Sequence, residues 1–326
     1  MSKLDSHPVA VGVVLTALLC LIFWPNTHNV VLGASNATRQ DWRTDPVWYQ
    51  GKAEWALYDA VRTIYGKPRH YEATIFTNKQ HMDPVTTTKA ADWRDPNAIE
   101  VFKHNVSEMI PTDNYTYRFL TTCFVHTDTL ELYKLVASSQ EDCGATYKQF
   151  IVADGQVEAR SYSYFPDEGE SHTPYRRPGQ PRNFAFHDAL TLTLRDYPFD
   201  ADEPPVMKLK LIADQTNNHA TPQGPEEATV RLVGRESITV PYGTIDAHHL
   251  VVEHTEQGGT TSSEYWFAAD EAMRHVLVKY QGPYGVKYEL KRLDWWAYWS
   301  EPRPEEEPTE RSVQSPLRAR HGLSSR

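Results

Sequence analysis

Between residues 50 and 293 the chain is cut by Gly and Pro into short runs rich in Val, Ile, Thr, Tyr and Phe, the composition of strands. Residues 71–77 form the first clear run. Residues 117–126 and 130–137 predict a hairpin about Thr127-Asp128, and runs 147–152 and 157–165 follow. Residues 184–195 resume the pattern, with Ala189-Leu190-Thr191-Leu192-Thr193-Leu194 alternating as a half-buried strand does. After strand 207–213 come five more, at 229–240, 245–254, 262–268, 276–281 and 286–293. Tyr242-Gly243, Gly258-Gly259 and Pro283-Tyr284-Gly285 supply their turns. The order is that of an antiparallel meander. Lys287-Tyr288-Glu289-Leu290-Lys291 has one polar and one apolar face, as in an open curled sheet.

One segment is two-valued. Leu57, Val61, Ile64 and Tyr65 fit a helical stripe, yet Val61 to Tyr65 followed by Gly66-Lys67-Pro68 fits a strand entering a hairpin. The strand is the better fit. Residues 91–102 read as a connection, and 166–182, rich in Pro, Gly and charge, as a surface loop or linker. The fold class is therefore all-β, a curled antiparallel sheet or open half-barrel behind an N-terminal apolar helix. The divisions are a leader at 1–38, a first β-rich half at 39–165, the loop at 166–182, a second half at 183–300 and a tail at 301–326. The tail is rich in Pro and Glu, then Arg and Ser, and its composition predicts disorder.

Residues 9–24, VAVGVVLTALLCLIFW, carry no charge. The run is shorter than the ~20 residues of a spanning helix and longer than a signal-peptide core of about 7–15. It fits a cleaved signal peptide or a retained anchor, and either directs the chain to a membrane. The expected location is the periplasm or cell envelope. A net charge of −10 and the lack of a basic cluster in the folded part argue against nucleic acid as a partner. The 18 Tyr and 9 Trp suit strands, where flat rings pack across a pleated surface.

The residues also resemble a known group. Tyr58-Asp59, Ile64-Tyr65-Gly66-Lys67, Thr74-Ile75-Phe76, Tyr115-Thr116-Tyr117 and the stretch from Ser138 to Lys148 are similar to a family of uncharacterised bacterial exported proteins. Thr239-Val240-Pro241-Tyr242-Gly243-Thr244-Ile245-Asp246-Ala247, Glu264-Tyr265-Trp266-Phe267, Val276 to Tyr280 and Gly285 to Leu290 resemble uncharacterised periplasmic curled-sheet domains. The resemblance implies the sheet and export, and no activity.

Candidate chemistry is sparse. Asp246, His248 and His254 share strand parity, which suits a solvent-facing polar row. At ~3.3 Å per residue His248 and His254 lie about 20 Å apart, too far to bind one zinc ion. No metal site, cofactor or catalytic set is expected. Glu264 is expected to alternate outward. Cys123 and Cys143 are candidates for a disulfide, although the hairpin register sets Cys123 opposite Leu132 or Tyr133. Cys143 beside Glu141 and Asp142 lacks the setting of a reactive thiolate. Trp266, Trp295, Trp296 and Trp299 are the candidate ligand-binding residues, as an aromatic platform. The leading functional expectation is a non-enzymatic envelope protein whose curved sheet binds a lipid, another apolar ligand or a protein partner. A structural scaffold without ligand, and a hydrolase with an unrecognised site, are the alternatives.

Overall fold

The computed structural model describes residues 41–220, 224–256 and 259–304. The apolar run, the leader boundary and the tail beyond residue 304 lie outside the described residues. Among those described, no helix is long and apolar enough to cross a membrane.

Among the described residues sixteen strands form one sheet. In chain order they are β1 (Ala53–Ile64), β2 (Lys67–Asp83), β3 (Thr88–Lys89), β4 (Ile99–Pro111), β5 (Thr116–His126), β6 (Leu132–Glu141), β7 (Gly144–Ala153) and β8 (Gln156–Ser163). There follow β9 (Glu170–Arg176), β10 (Phe184–Phe186), β11 (Met207–Ile212), β12 (Glu226–Val240), β13 (Gly243–Glu256), β14 (Gly259–Ala268), β15 (Leu277–Gln281) and β16 (Lys287–Trp296). Two meanders are joined where β16 pairs antiparallel with β1, Ala53 opposite Trp296. The sheet is curled and unclosed: β9 ends it on one side, and β10, parallel to β11, on the other. The two halves of the sequence thus share one sheet.

Local chemistry accounts for the hairpins. Ile64 pairs with Lys67 across Tyr65-Gly66, and Ala153 with Gln156 across Asp154-Gly155. All four turn residues have positive φ, the conformation whose twist matches that of the flanking strands. The strand choice at residues 55–65 is what the structure has. At the predicted hairpin, Cys123 lies opposite Leu135, not Leu132 or Tyr133, because the connection takes residues 127–131 and not a two-residue turn, and the register shifts by one more between Phe124 and Val125.

Three segments differ from the sequence pattern. β4 occupies residues read partly as a connection. Its inward side chains include His104 and Glu108, so polar residues fall on both faces and mask the alternation. β9 lies inside the expected surface loop. It is an exposed edge strand containing Pro174, and edges tolerate proline. The Leu/Thr alternation at 189–194 does not make a strand. After β10 the chain turns through single helical turns at His187–Ala189, Leu190–Thr193 (α1) and Leu194–Asp196. Leu192 and Thr193 are both buried there, so an alternation that normally marks one wet face has no wet face to mark.

This segment plugs the curl. Leu190, Leu194, Tyr197 and Phe199 pack with β1, β2 and β11–β16. Phe184, Phe186, Ala189 and Leu192 pack with β4–β8. A buried fork joins plug to wall: Arg195 Nη2 donates to Glu54 Oε1 at 2.7 Å and Nη1 to Oε2 at 3.2 Å. His104 bridges Thr77 Oγ1 (2.8 Å) and Thr191 Oγ1 (2.9 Å), tying β2 and β4 to α1.

Candidate functional site

The plug fills part of the concavity and leaves a cavity of about 1310 Å³ beside it. Its wall comes from the end of β1, from β4 and β5, the start of the plug, the segment after β11, the facing ends of β12 and β13, and β14–β16. Apolar groups are present (Ile64, Val106, Phe119, Val286), and so are six tyrosines: Tyr65, Tyr117, Tyr265, Tyr280, Tyr284 and Tyr288. Tyr65 and Tyr284 are exposed and both sit in left-handed backbone, which places two strained turns along the cavity.

Polar groups meet here from distant parts of the chain. Glu108 on β4 accepts from Tyr71 on β2 and from Tyr288 on β16, the latter at 2.7 Å. Arg62 Nη2 faces Glu108 Oε2 at 3.2 Å, and Arg62 Nη1 donates to the Thr216 carbonyl at 2.7 Å. The Arg62 charge is thus neutralised and oriented. Burial pushes the Tyr288 phenol well up, so it stays a neutral donor at physiological pH.

Asp188, at the start of the plug, and Asp214, after β11, form a carboxyl pair. Asp188 is buried and accepts from the Gln215 amide (3.0 Å) and Thr216 Oγ1 (2.8 Å). Burial, then the neighbouring Asp214 charge, raises its pKa. Asp214 accepts from the Thr216 amide at 2.9 Å. Burial opposes its ionisation, but the charges of His187 and Arg62 and the hydrogen bond from Asp188 prevail and hold it below the usual carboxylate range. Two adjacent carboxyls do not both ionise readily, so the proton stays on Asp188 and the charge on Asp214. His187 Nε2 lies 3.2 Å from both the Tyr265 and Tyr280 hydroxyls. Lys148 donates to Asn217 O, Asn217 Oδ1 and His219 O, at 2.8–3.2 Å, and burial lowers its pKa. It braces the 214–219 segment against β7. The arrangement offers phenol donors, one anionic carboxylate and apolar patches to an occupant. Among the described residues no group of three or more His, Cys, Asp or Glu has a metal-binding arrangement.

The four candidate tryptophans are not brought together, and none lines this cavity. Trp266 stacks on His249 (4.2 Å between ring centres) under Lys279, and its Nε1 donates to Glu236. Trp295 packs edge-on against Trp48 beneath Arg274. Trp296 joins Trp55, Phe76 and Tyr298, and Trp299 stands exposed beside Tyr298. Cys123 and Cys143 are both free, the first buried and the second exposed, so no disulfide joins them. Cys143 Sγ is instead 3.2 Å from Glu141 Oε2. His248 and His254, expected in solvent, are buried: His248 stacks on Phe199 at 4.3 Å, and His254 meets Glu226 at 3.1 Å. Plug and cavity lie on the face expected to be wet. Asp246 does stay exposed, paired with Arg235. Glu264 faces His249 Nε2 at 2.7 Å.

The sequence reading passed over Arg62, Glu108, His187, Asp188, Asp214, Tyr265 and Tyr280. One signal was available. Trp266 and Tyr265 are successive strand residues and must face opposite ways, so only one of them can line the concavity.

Residues 148–291 match the model of a family described as a protein of unknown function, DUF3108. The match runs from β7 into β16 and takes in the plug, Asp188, Asp214 and His187, while Arg62, Tyr71 and Glu108 come from the unmatched first part. No curated protein and no solved structure gives a significant match to the chain.

Proposed function

We propose that the protein is a non-enzymatic ligand-binding protein of the cell envelope, and that it holds one small amphiphilic molecule in the cavity between plug and sheet. The observation that carries this reading is the cavity itself: about 1310 Å³ inside a curled sheet, lined by both apolar groups and convergent hydrogen-bonding groups. Filled by its own side chains, the sheet would suit a scaffold, and the cavity weighs against that. A purely apolar ligand would strip water from the polar part of the wall, to which Asp214, Asn217, Asn218 and the tyrosines contribute. The occupant therefore carries a polar group as well as a hydrocarbon part. The apolar run at residues 9–24 supports delivery to a membrane, where such molecules concentrate.

The test is native mass spectrometry of the full chain released gently from host membranes. A retained small molecule, lost on denaturation and reduced in a Tyr280→Trp variant that crowds the cavity, is the expected result. A bare polypeptide mass, together with no binding of any added amphiphile, would overturn the reading.

A further inference from the structure

We infer that the polar end of the occupant is an uncharged, hydroxyl-bearing head, of the kind a sugar or polyol carries, held by the phenols, threonines and amides of the wall. This rests on the cavity being a ligand site, and deepens that reading by naming the chemistry of the head.

Two observations carry it. The first is that each ionisable side chain on the described wall, its phenols aside, is met by a partner of the opposite kind. Arg62 faces Glu108 at 3.2 Å, His254 faces Glu226 at 3.1 Å, and His219 faces Glu168 at 3.3 Å. The charges of His187 and Arg62 both act on Asp214, and Asp188 beside it keeps its proton. A charged head of either sign would gain one attraction only by facing a repulsion of similar size, and would still lose its hydration. The wall therefore selects neither a cation nor an anion.

The second observation is what the wall offers instead. Six tyrosines line it, with Thr191, Thr216, Asn217 and Asn218. A phenol hydroxyl that donates one hydrogen bond can still accept another. Tyr288 donates to Glu108 at 2.7 Å and so keeps an acceptor. Asn217 gives one amide hydrogen to the Asp214 carbonyl at 2.8 Å and keeps a second donor. The Asp214 carboxylate keeps lone pairs beyond the one taken by the Thr216 amide at 2.9 Å. Donors and acceptors are thus interleaved, and a hydroxyl, which does both, suits either kind of position. The flat phenol rings add apolar faces on which the C–H face of a sugar ring packs.

The experiment is isothermal titration of the full chain with decyl glucoside, decanol, decylamine and sodium decanoate, all below their micelle and solubility limits, and with methyl glucoside as a tail-free control. Decyl glucoside is expected to bind at least about tenfold tighter than either charged probe and than decanol, because only its head fills several hydrogen-bonding positions without burying a charge. Its preference over decanol should stay within about twofold as salt is raised to 0.5 M, since an uncharged contact is not screened. Tyr280→Phe, which removes one hydroxyl and keeps the ring, should weaken decyl glucoside about three- to tenfold. The wild-type comparison and the salt series need no variant, so they decide the matter even if Tyr280→Phe fails to fold. Equal or tighter binding of decanol, decylamine or decanoate overturns the hydroxyl assignment and leaves the amphiphile reading standing. Methyl glucoside binding as tightly as decyl glucoside overturns the amphiphile reading and leaves the hydroxyl assignment. A folded Tyr280→Phe protein with unchanged glucoside affinity overturns the role of that phenol. No binding of any probe overturns both readings.

Discussion

His104 should make the fold acid-sensitive by a calculable amount. Its imidazole is fully buried, with Thr77 and Thr191 on its two nitrogens. Desolvation, helped by the nearby Arg195 charge, pushes its pKa from 6.5 down to about 3. The ring is therefore neutral when folded and protonated when unfolded throughout that interval. The unfolded chain binds the extra proton, so stability is full above pH 6.5 and is lost as pH falls toward 3. At pH 5 the loss spans about 1.5 pH units at ~1.36 kcal/mol each, or about 2 kcal/mol. His104→Gln keeps one donor and one acceptor at the site but cannot take the proton. Urea denaturation followed by tryptophan fluorescence at pH 5, 6 and 7, at fixed ionic strength, measures both proteins. The wild type should lose about 2 kcal/mol more than the variant between pH 7 and pH 5. Other titrating groups, including the partly buried His126, are common to both and cancel in the difference. Equal losses in the two proteins would refute the assignment of His104 as a buried neutral group.

Further outcomes follow from the plug and the thiols. Glu54→Gln leaves the buried Arg195 charge uncompensated and should cost about 3–5 kcal/mol in urea unfolding, whereas Glu54→Leu combined with Arg195→Met should cost less than the single change. A double variant as unstable as the single would contradict this. Leu192→Ala opens a cavity between plug and the β4–β8 wall and should cost about 2–5 kcal/mol, so a midpoint unchanged from wild type would show that the plug does not seal that core. Native maleimide treatment followed by peptide mapping should label Cys143 and spare Cys123 until denaturant is added. Labelling of Cys123 in the native protein, or a bridged peptide containing both, would contradict the free, unequally exposed thiols.

Much of the strand content was legible because it is written locally. Tyr65-Gly66 specifies its turn from four residues, and the alternation in β16 is visible in five. The same local logic failed where both faces of a segment are enclosed. Leu190 to Leu194 alternates in sequence but turns helically inside the curl. In β4, His104 and Glu108 look like surface residues because nothing nearby in sequence shows the partners that satisfy them.

Local sequence therefore determined the fold class, the β1–β2 hairpin and the meander of the second half. Tertiary structure alone decided the pairing of β1 with β16, the insertion of the plug and the assembly of the cavity. Arg62, Glu108, Asp188, Asp214 and Tyr288 come from five separate segments, and a charge or phenol acquires its role only from the neighbours that folding brings to it. Those neighbours are set by how far the sheet curls and by what fills it. Each depends on many weak contacts distributed along the chain, and no short stretch of sequence contains them.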